Sequence, residues 1–172
     1  MNTYNNKRRQ ETAKRIEEAI LEQLQTRELS KIKVSDICKA AQINRSTFYA
    51  NFLDVYDLAD KIYIRLEGEV LRLLENQVWD QDFLRLFDHI QEHQNLYRFY
   101  FKLGYDNRCE LKLYDFCMQE YDVSMQFVDY HIAFFKNGFN AILKLWLDGG
   151  CRETPQQMKD ILTREYRGRL RS

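Results

Sequence analysis

Two short helical patterns lie three residues apart in the first third of the chain, and this spacing restricts the fold more than any other feature. Apolar residues recur at i, i+3, i+4 and i+7 in the first pattern, at Val34, Ile37, Cys38 and Ala41. This spacing predicts a helix of only two turns. Asn44 is a strong N-cap residue for a further helix from about Arg45 to Phe52. Helices this short are unstable alone, so neighbouring helices must hold them.

Residues 42–52, QINRSTFYANF, combine apolar and polar side chains as a groove-binding helix requires. Ile43, Phe48 and Phe52 are placed to pack back onto the preceding helices. The outer side or leading end keeps Arg45, Ser46, Thr47, Tyr49, Ala50 and Asn51. Two short helices joined by a short turn form a helix-turn-helix, whose second helix can enter the major groove of DNA.

The rest of the chain is also expected to be helical, because one Pro and six Gly are too few for a sheet with many tight turns. An amphipathic helix is predicted over residues 11–25, directly after the basic run of residues 7–9, and Asp54 is expected to cap a long helix that ends at about Gln77. Further helices are predicted at about residues 81–93, 95–103, 107–120, 125–147 and 155–166. Gly149 and Gly150 are expected to stop the penultimate helix, and Thr154 to cap the last one.

These patterns predict an all-α protein with two domains. Residues 1–53 form a three-helix, helix-turn-helix DNA-binding domain, and residues 54–172 form a helical effector and dimerisation domain. Residues 1–52 carry ten Lys and Arg against six Asp and Glu, a net charge of +4, and the remainder carries 16 against 20, a net charge of −4. A basic N-terminal part followed by an acidic remainder indicates that only the N-terminal part binds a polyanion.

Several other classes of protein are disfavoured. No apolar run reaches the roughly 18 residues of a membrane span, and the first residues lack the apolar segment of a signal peptide, so a cytoplasmic protein without membrane contact is expected. The four Cys have no metal-ligand spacing and are expected to be reduced. No Ser-His-Asp order, phosphate loop or paired-carboxylate motif is visible, so the chain is not expected to be an enzyme.

His89 and His93 stand at i, i+4 spacing, which can hold a metal ion. Without a convincing third ligand they are read as solvent-side residues, and no metal or cofactor is expected. Aromatic side chains of the body either line a pocket for a small-molecule effector or form plain core. The candidate pocket residues are His93, Tyr97, Phe101, Tyr114, Cys117 and Phe134.

The last two predicted helices carry more apolar surface than one body is expected to bury, which favours a homodimer through a four-helix interface. The segment of residues 129–150 is apolar on more than one side of its axis. The interface residues expected from its main stripe and from the last helix are Ile132, Phe135, Phe139, Ile142, Trp146, Met158, Ile161 and Leu162.

The stretch ICKAAQINRSTFYANF, residues 37–52, resembles the N-terminal domain of the tetracycline-repressor (TetR/AcrR) family of bacterial transcription regulators. The resemblance covers residues 10–60, and the run GFNAILKLWLDGGCRETPQQM, residues 138–158, is similar to the dimerising helices of one branch of that family. The resemblance implies an all-α dimer whose N-terminal domain binds a double-stranded operator half-site and whose C-terminal domain can hold a small molecule. We expect such a protein to act as a repressor.

The resemblance also implies roles for individual residues. Arg45, Ser46, Thr47 and Ala50 fall where family members touch base edges, and Tyr49 and Asn51 where members touch phosphate. The chemistry agrees, because Arg can donate two bonds to guanine, Ser and Thr can bond either base type, and Ala can meet a thymine methyl. Asn44 belongs to the same surface as the cap of the helix.

Three departures from the family pattern keep an alternative open. Gln42 replaces the usual Gly of the turn, so the turn must avoid a left-handed residue or bear strain. Lys33 replaces a capping Thr but can still reach a phosphate, and Val55 replaces a Lys that contacts phosphate. Lys7, Arg8 and Arg9 are candidates to replace the phosphate contact that is missing at position 55. The alternative is an activator or adaptor of the same fold that binds a protein partner, with weak or absent DNA binding.

Overall fold

The protein is helical throughout the part of the chain that the computed structural model describes, which comprises residues 3–74, 79–107 and 127–170. The α-helices of these residues are α1 Thr3–Leu24, α2 Val34–Ala40, α3 Arg45–Tyr49, α4 Val55–Leu73, α5 Trp79–Glu92, α6 Gln94–Lys102, α7 Val128–Asp148 and α8 Pro155–Leu170. Single 3-10 turns occupy Leu29–Lys31 and Tyr105–Asn107. The all-α fold class is thereby confirmed, and the helix predicted over residues 107–120 lies outside the described residues apart from its first.

The chain divides into two compact units, an N-terminal unit of Met1–Leu66 and a C-terminal unit of Glu67–Ser172. The division falls inside α4, so the first part of this helix packs with the helices that precede it. The functional boundary between residues 53 and 54 stays a prediction. None of the helices in the described ranges is both long enough and apolar enough to cross a membrane.

The N-terminal unit is built around apolar side chains of α1 that the two short helices cover. These side chains are Ile16, Ala19, Ile20 and Leu24, each at most 5% exposed. Ile37 of α2 and Phe48 of α3 are fully buried, which is how helices of seven and five residues are held in place. The helix α3 ends at Tyr49, earlier than the predicted Phe52.

The helix α1 begins at Thr3, eight residues before the predicted start at residue 11. The early residues carry no apolar stripe, so helical periodicity could not reveal them. Arg8 and Arg9 are therefore helical residues of α1. The sequence had instead placed them in a segment that precedes the helix.

The turn between α2 and α3 contains a left-handed residue, which decides between the two conformations left open for Gln42. The φ angle of Gln42 is 53°. Its N–H donates to the carbonyl of Lys39 at 3.3 Å, and the N–H of Ile43 donates to the carbonyl of Cys38 at 3.0 Å. This pair of bonds is the Schellman arrangement at a helix C-terminus, where Gly is the favoured left-handed residue.

Replacing Gln42 by Gly is therefore expected to stabilise the protein by about 1 kcal/mol, because a residue with a Cβ pays for the left-handed conformation and Gly does not. Urea unfolding followed by circular dichroism measures the change. Gln42→Ala is the matched control, since it removes the side chain but keeps the Cβ, and its stability should stay near that of the parent. Equal stability of the Gly and Ala variants would contradict the assignment of strain.

The C-terminal unit is built on the apolar face of α5. Phe83, Leu86, Phe87 and Ile90 are each at most 2% exposed. Aromatic rings of α7 pack onto this face: the centroid of Phe139 lies 5.8 Å from that of Phe83 and 6.3 Å from that of Phe87. Met158 and Leu162 of α8 are also buried in this unit.

The ends of α7 and α8 follow the predicted signals. Gly150 has a φ of 79°, and the N–H of Cys151 donates to the carbonyl of Trp146 at 2.8 Å, which completes the stop after α7. Thr154 caps α8 reciprocally with Gln157. The hydroxyl of Thr154 accepts from the Gln157 N–H at 3.2 Å, and the Thr154 N–H donates to the side-chain oxygen of Gln157 at 2.8 Å.

The sequence-predicted dimer residues need correction. The members that are at most 3% exposed within the single chain are Phe135, Phe139, Trp146, Met158 and Leu162. These side chains belong to the protomer's own core, because the aromatic face of α5 already covers them. Ile132 and Ile142 are half-buried and Ile161 is 40% exposed. The exposed apolar side of α7 instead carries Tyr130, Phe134 and Leu145, which are 67–75% exposed.

Candidate nucleic-acid interface

The helix α3 separates a buried side from an exposed side, as its sequence predicts. Phe48 is 0% exposed, and its ring centroid lies 5.6 Å from those of Tyr49 and Phe52. Arg45 and Tyr49, which is 57% exposed, point to solvent. The other exposed residues are Asn44, Ser46 and Ala50, while Thr47 and Asn51 are half-buried. Their contacts with DNA stay a prediction.

Asn44 occupies the N-cap position of α3, but its side chain makes no capping hydrogen bond. The backbone carbonyl of Asn44 accepts the N–H groups of Thr47 and Phe48, at 3.0 and 3.2 Å. The predicted cap is therefore correct in position and wrong in mechanism. The side-chain amide is left exposed at the leading end of the helix.

Asn51 lies just after α3, and its amide group is partly used by the protein itself. Its Nδ2 donates to the carbonyl of Thr47 at 2.8 Å. An amide nitrogen carries two hydrogens, so one of them remains for the phosphate contact that the family resemblance implies.

The start of α4 fixes the far end of the motif. The Asp54 carboxylate accepts the N–H groups of Tyr56 and Asp57, both at 2.8 Å, which confirms Asp54 as a cap. Val55 is buried, with 6% of its surface exposed. At the position where the family has a Lys, this chain therefore has a core side chain.

Lys61 is a structural residue of this site that the sequence reading missed. Its Nζ pairs with the Asp57 carboxylate at 2.9 Å, donates to the carbonyl of Asn51 at 3.1 Å and lies 5.3 Å from the ring centroid of Phe52. The i, i+4 spacing of Asp57 and Lys61 was the available signal. The amine holds the segment that follows α3 against α4.

Two clefts flank α3. The larger, of about 910 Å³, lies between the outer side of α3 and α1, and its α1 wall carries Arg8, Arg9 and Arg15. The smaller, of about 450 Å³, is lined by Lys33, Arg45, Tyr49 and Tyr56, among others. Lys33 is exposed at the N-cap position of α2 and makes no capping bond, as its side chain predicts, and its contact with a phosphate stays a prediction. Tyr56 was not foreseen as a member of this surface.

Cys38 also borders the larger cleft, but its environment does not favour reactivity. The side chain is buried in α2, with 5% exposed. Burial raises the pKa of the Cys38 thiol, and the nearby Arg45 offsets only part of that rise. Because the thiolate is the nucleophile, this Cys is best described as the small core residue that its helical position predicts.

The candidate effector residues are only partly brought together. The Tyr97 hydroxyl is buried and lies 2.8 Å from Nδ1 of His89, and burial raises the pKa of Tyr97. His93 is exposed, and its ring centroid lies 4.5 Å from that of His89. Phe101 is half-buried beneath the amine of Lys144, which lies 5.0 Å from the ring centroid.

Of the remaining candidates, only Phe134 belongs to the part of the chain that the structure describes. Phe134 is 67% exposed on α7, so it is not enclosed within the single chain, and its place in an effector pocket stays a prediction. Tyr114 and Cys117 lie outside the described residues. Among the residues that the structure describes, no group of three or more His, Cys, Asp or Glu is placed to hold a metal ion.

Comparisons with solved structures show what this arrangement is similar to. A TetR transcriptional regulator from Streptococcus agalactiae 2603V has a TM-score of 0.70 and 22% identity, over 94% of this chain and 97% of that one. The dihydroxyacetone kinase operon activator DhaS has a TM-score of 0.60 and 20% identity, over 93% and 96%. The fatty acid degradation regulator FadR from Bacillus halodurans has a TM-score of 0.65 and 13% identity, over 88% and 92%. At these identities the likeness shows the fold.

The sequence comparison identifies the family. No curated protein matches the chain. The family model TetR_C_8, described as the transcriptional regulator C-terminal region, matches residues 77–167, which is more than half of the 172 residues. The chain therefore belongs to the TetR-type transcriptional regulators that carry this C-terminal region.

Proposed function

We propose that the chain is a sequence-specific DNA-binding regulator that acts in the cytoplasm as a homodimer and represses transcription by occupying an operator. The observation that carries this proposal is the division of α3, which buries Phe48 and exposes Arg45 and Tyr49. A two-fold dimer of such helices fits successive major grooves about 34–36 Å apart. A protein bound in this way obstructs access to a promoter.

Each outer residue has a role in the proposed complex. Arg45 donates two hydrogen bonds to a guanine edge, and Ser46 and Thr47 bond neighbouring bases. Ala50 meets a thymine methyl group. Tyr49 and Lys33 donate to phosphates beside the groove and fix the register of the helix. Asn44 and Asn51 extend the same surface at the two ends of α3.

The proposed homodimer uses the exposed side of α7. Tyr130, Phe134 and Leu145 stand at i, i+4 and i+15, which places them on one side of the helix. Exposed apolar rows of this kind are typical of interaction sites. Together with Ile161 of α8, which is 40% exposed, they offer a surface for a four-helix interface.

The proposed control is a small molecule bound in the C-terminal unit. Residues of α4 belong to both units, because the division falls between residues 66 and 67. In the proposed mechanism, a bound ligand displaces α4 and thereby changes the separation of the two α3 helices. A ligand has this effect only if it binds one separation more tightly than the other. Thermal-shift screening of metabolites tests it, and a ligand that raises the Tm without changing DNA affinity would count against effector control.

Replacing Arg45 and Tyr49 together by Ala tests the DNA-binding role. The double variant is expected to lose about 100-fold in affinity for fragments selected from genomic DNA by the parent protein, because a bidentate base contact contributes about 1–3 kcal/mol and the phosphate contact is lost with it. Electrophoretic retardation measures the loss.

The matched control for this experiment removes one cation and one exposed apolar residue away from α3. Lys14, which pairs with Glu18, and Ile64, which is 62% exposed, meet this requirement. Lys14→Ala with Ile64→Ala should retain the affinity of the parent protein. Equal retardation by both double variants would show that α3 does not read DNA.

A second candidate function is an activator or adaptor of the same fold. Two observations favour it: Val55 is buried where the family has a phosphate-binding Lys, and the similar structure DhaS is described as an operon activator. A reporter gene separates the candidates. Deletion of a repressor should raise expression of the reporter gene, and deletion of an activator should lower it. An adaptor should still bind its protein partner, and still alter expression of the reporter, when Arg45 and Tyr49 are replaced.

A further inference from the structure

The early start of α1 places a row of basic side chains beside the DNA-reading helix. Arg8, Thr12 and Arg15 stand at i, i+4 and i+7, so they share one side of α1. Arg9 adjoins them, and all four line the larger cleft. This arrangement depends on the helix, because the same residues in an extended segment would alternate in direction.

The cleft has the size and the charge of a site for a polyanion. Its volume is about 910 Å³, and Lys39 of α2 adds a fourth cation to the three Arg side chains of α1. None of the residues that line it is acidic. Its opposite wall includes Ser46, Thr47 and Ala50 of α3. A chain of phosphates in this cleft would lie directly beside the bases that α3 is proposed to read.

The pattern of ion pairs in the N-terminal unit supports the same reading. Four cations outside the cleft are paired with carboxylates, in the pairs Lys14 with Glu18, Arg27 with Asp36, Lys61 with Asp57 and Arg65 with Glu17. By contrast, no carboxylate of the described residues lies within ion-pair distance of Arg8, Arg9, Arg15 or Lys39. The cleft therefore groups four cations whose charge no carboxylate of the described residues offsets at ion-pair distance, and such a group attracts an anion.

We propose that α1 is a second DNA-contacting element, in which Arg8, Arg9 and Arg15, together with Lys39, bind the phosphates of one strand along the cleft. This inference rests on the proposed DNA-binding function. It assigns most of the electrostatic affinity of the protein for DNA to the cations that line the larger cleft. Guanidinium groups suit this role because their planar donors match phosphate oxygens. The Thr12 hydroxyl is not one of the proposed phosphate-binding groups, since it donates to the Arg8 carbonyl at 2.8 Å.

The two flanks of α3 would then contribute differently. The smaller cleft offers Lys33 and Arg45 with two tyrosines, and it also contains the acidic side chain of Asp54. Arg45 is committed to a base edge in the proposed complex. Lys33 is thus the one remaining cation among the residues of that cleft, against four on the α1 side, so salt should weaken binding mainly through the α1 flank.

The salt dependence of binding to a mixed-sequence duplex of about 30 base pairs tests this assignment. Arg8→Gln, Arg9→Gln and Arg15→Gln are combined in the full chain, and fluorescence anisotropy measures the Kd between about 50 and 200 mM salt. Loss of three phosphate contacts should flatten the slope of log K against log salt by about 3 units per bound protomer. Over that range the parent protein should lose roughly 40-fold more affinity than the variant.

A variant with the same loss of net charge provides the control. Lys14→Gln, Lys31→Gln and Arg65→Gln remove three cations that line neither cleft. This control should keep the slope of the parent, and circular dichroism melting verifies that both triple variants fold. Equal slopes for the two triple variants would overturn the assignment of α1, as would a weaker Kd with an unchanged slope.

The outcome for the proposed function is read separately. If the parent protein binds no duplex at any salt concentration, both the DNA-binding function and the role of α1 are wrong. If the parent binds duplex and Arg45→Ala with Tyr49→Ala loses the selected fragments while the Gln variant keeps the parent slope, only the role of α1 is wrong.

Discussion

Phe139→Ala is expected to lower the free energy of unfolding by about 4 kcal/mol, because a buried Phe leaves a large cavity when it is truncated. Phe139 is 2% exposed. Its ring is stacked on that of Phe135 at 5.8 Å and also contacts the rings of Phe83 and Phe87. The loss should be the same at every protein concentration, since these contacts lie within one protomer. Chemical unfolding followed by circular dichroism measures it.

Phe134→Ala is the matched control, on the same helix and with the same change of side chain. Phe134 is 67% exposed, so its truncation should alter the stability of the single chain by no more than about 0.5 kcal/mol. If the exposed side of α7 forms the homodimer, the effect of this variant should instead grow with protein concentration, and sedimentation should show more monomer. A loss of about 4 kcal/mol from Phe134→Ala, independent of concentration, would show that the two faces of α7 have been assigned the wrong way round.

The two sides of α7 show a limit of prediction from sequence, because the side that was predicted to form the dimer interface is buried within the single chain. Adjacent residues such as Phe134 and Phe135 are both apolar, so periodicity marks no single buried side. Hydrophobicity can predict that both sides are covered, but it does not say which side meets the protomer's own core. That choice is made by the aromatic face of α5, which is close to Phe139 in space and distant from it in sequence.

The helix-turn-helix was far easier to predict because its signals are local. The spacing of Val34, Ile37 and Ala41, followed by a three-residue turn, was enough to place α2 and α3. The cap at Asp54 likewise depends on residues two and three positions away.

Two details of the same motif were not available from the sequence. The first turns of α1 have no apolar stripe, so the helical row of Arg8 and Arg15 could not be separated from a basic tail. Gln42 is a poor residue for a left-handed position, and only the hydrogen bonds of the turn and the packing of Phe48 show that this conformation is adopted.

Phe48→Ala is expected to cost about 4 kcal/mol of stability, the typical result for a fully buried Phe. Phe48 is 0% exposed and contacts the ring of Phe52. The helix α3 has five residues, too few to persist without this anchor. The variant should therefore lose the helix-turn-helix, and with it DNA binding, at urea concentrations that leave the parent folded. Unfolding curves and fragment retardation on the same samples measure both losses.

Tyr49→Ala separates folding from recognition at the neighbouring position. Tyr49 is 57% exposed, so this variant should keep the stability of the parent within about 0.5 kcal/mol and yet bind DNA more weakly through the lost phosphate contact. The two neighbours should then give opposite results: Phe48 controls whether α3 forms, and Tyr49 controls how tightly α3 binds DNA. If Tyr49→Ala lowered stability as much as Phe48→Ala, the outer side of α3 would be a packing surface, and the case for a groove-binding helix would be lost.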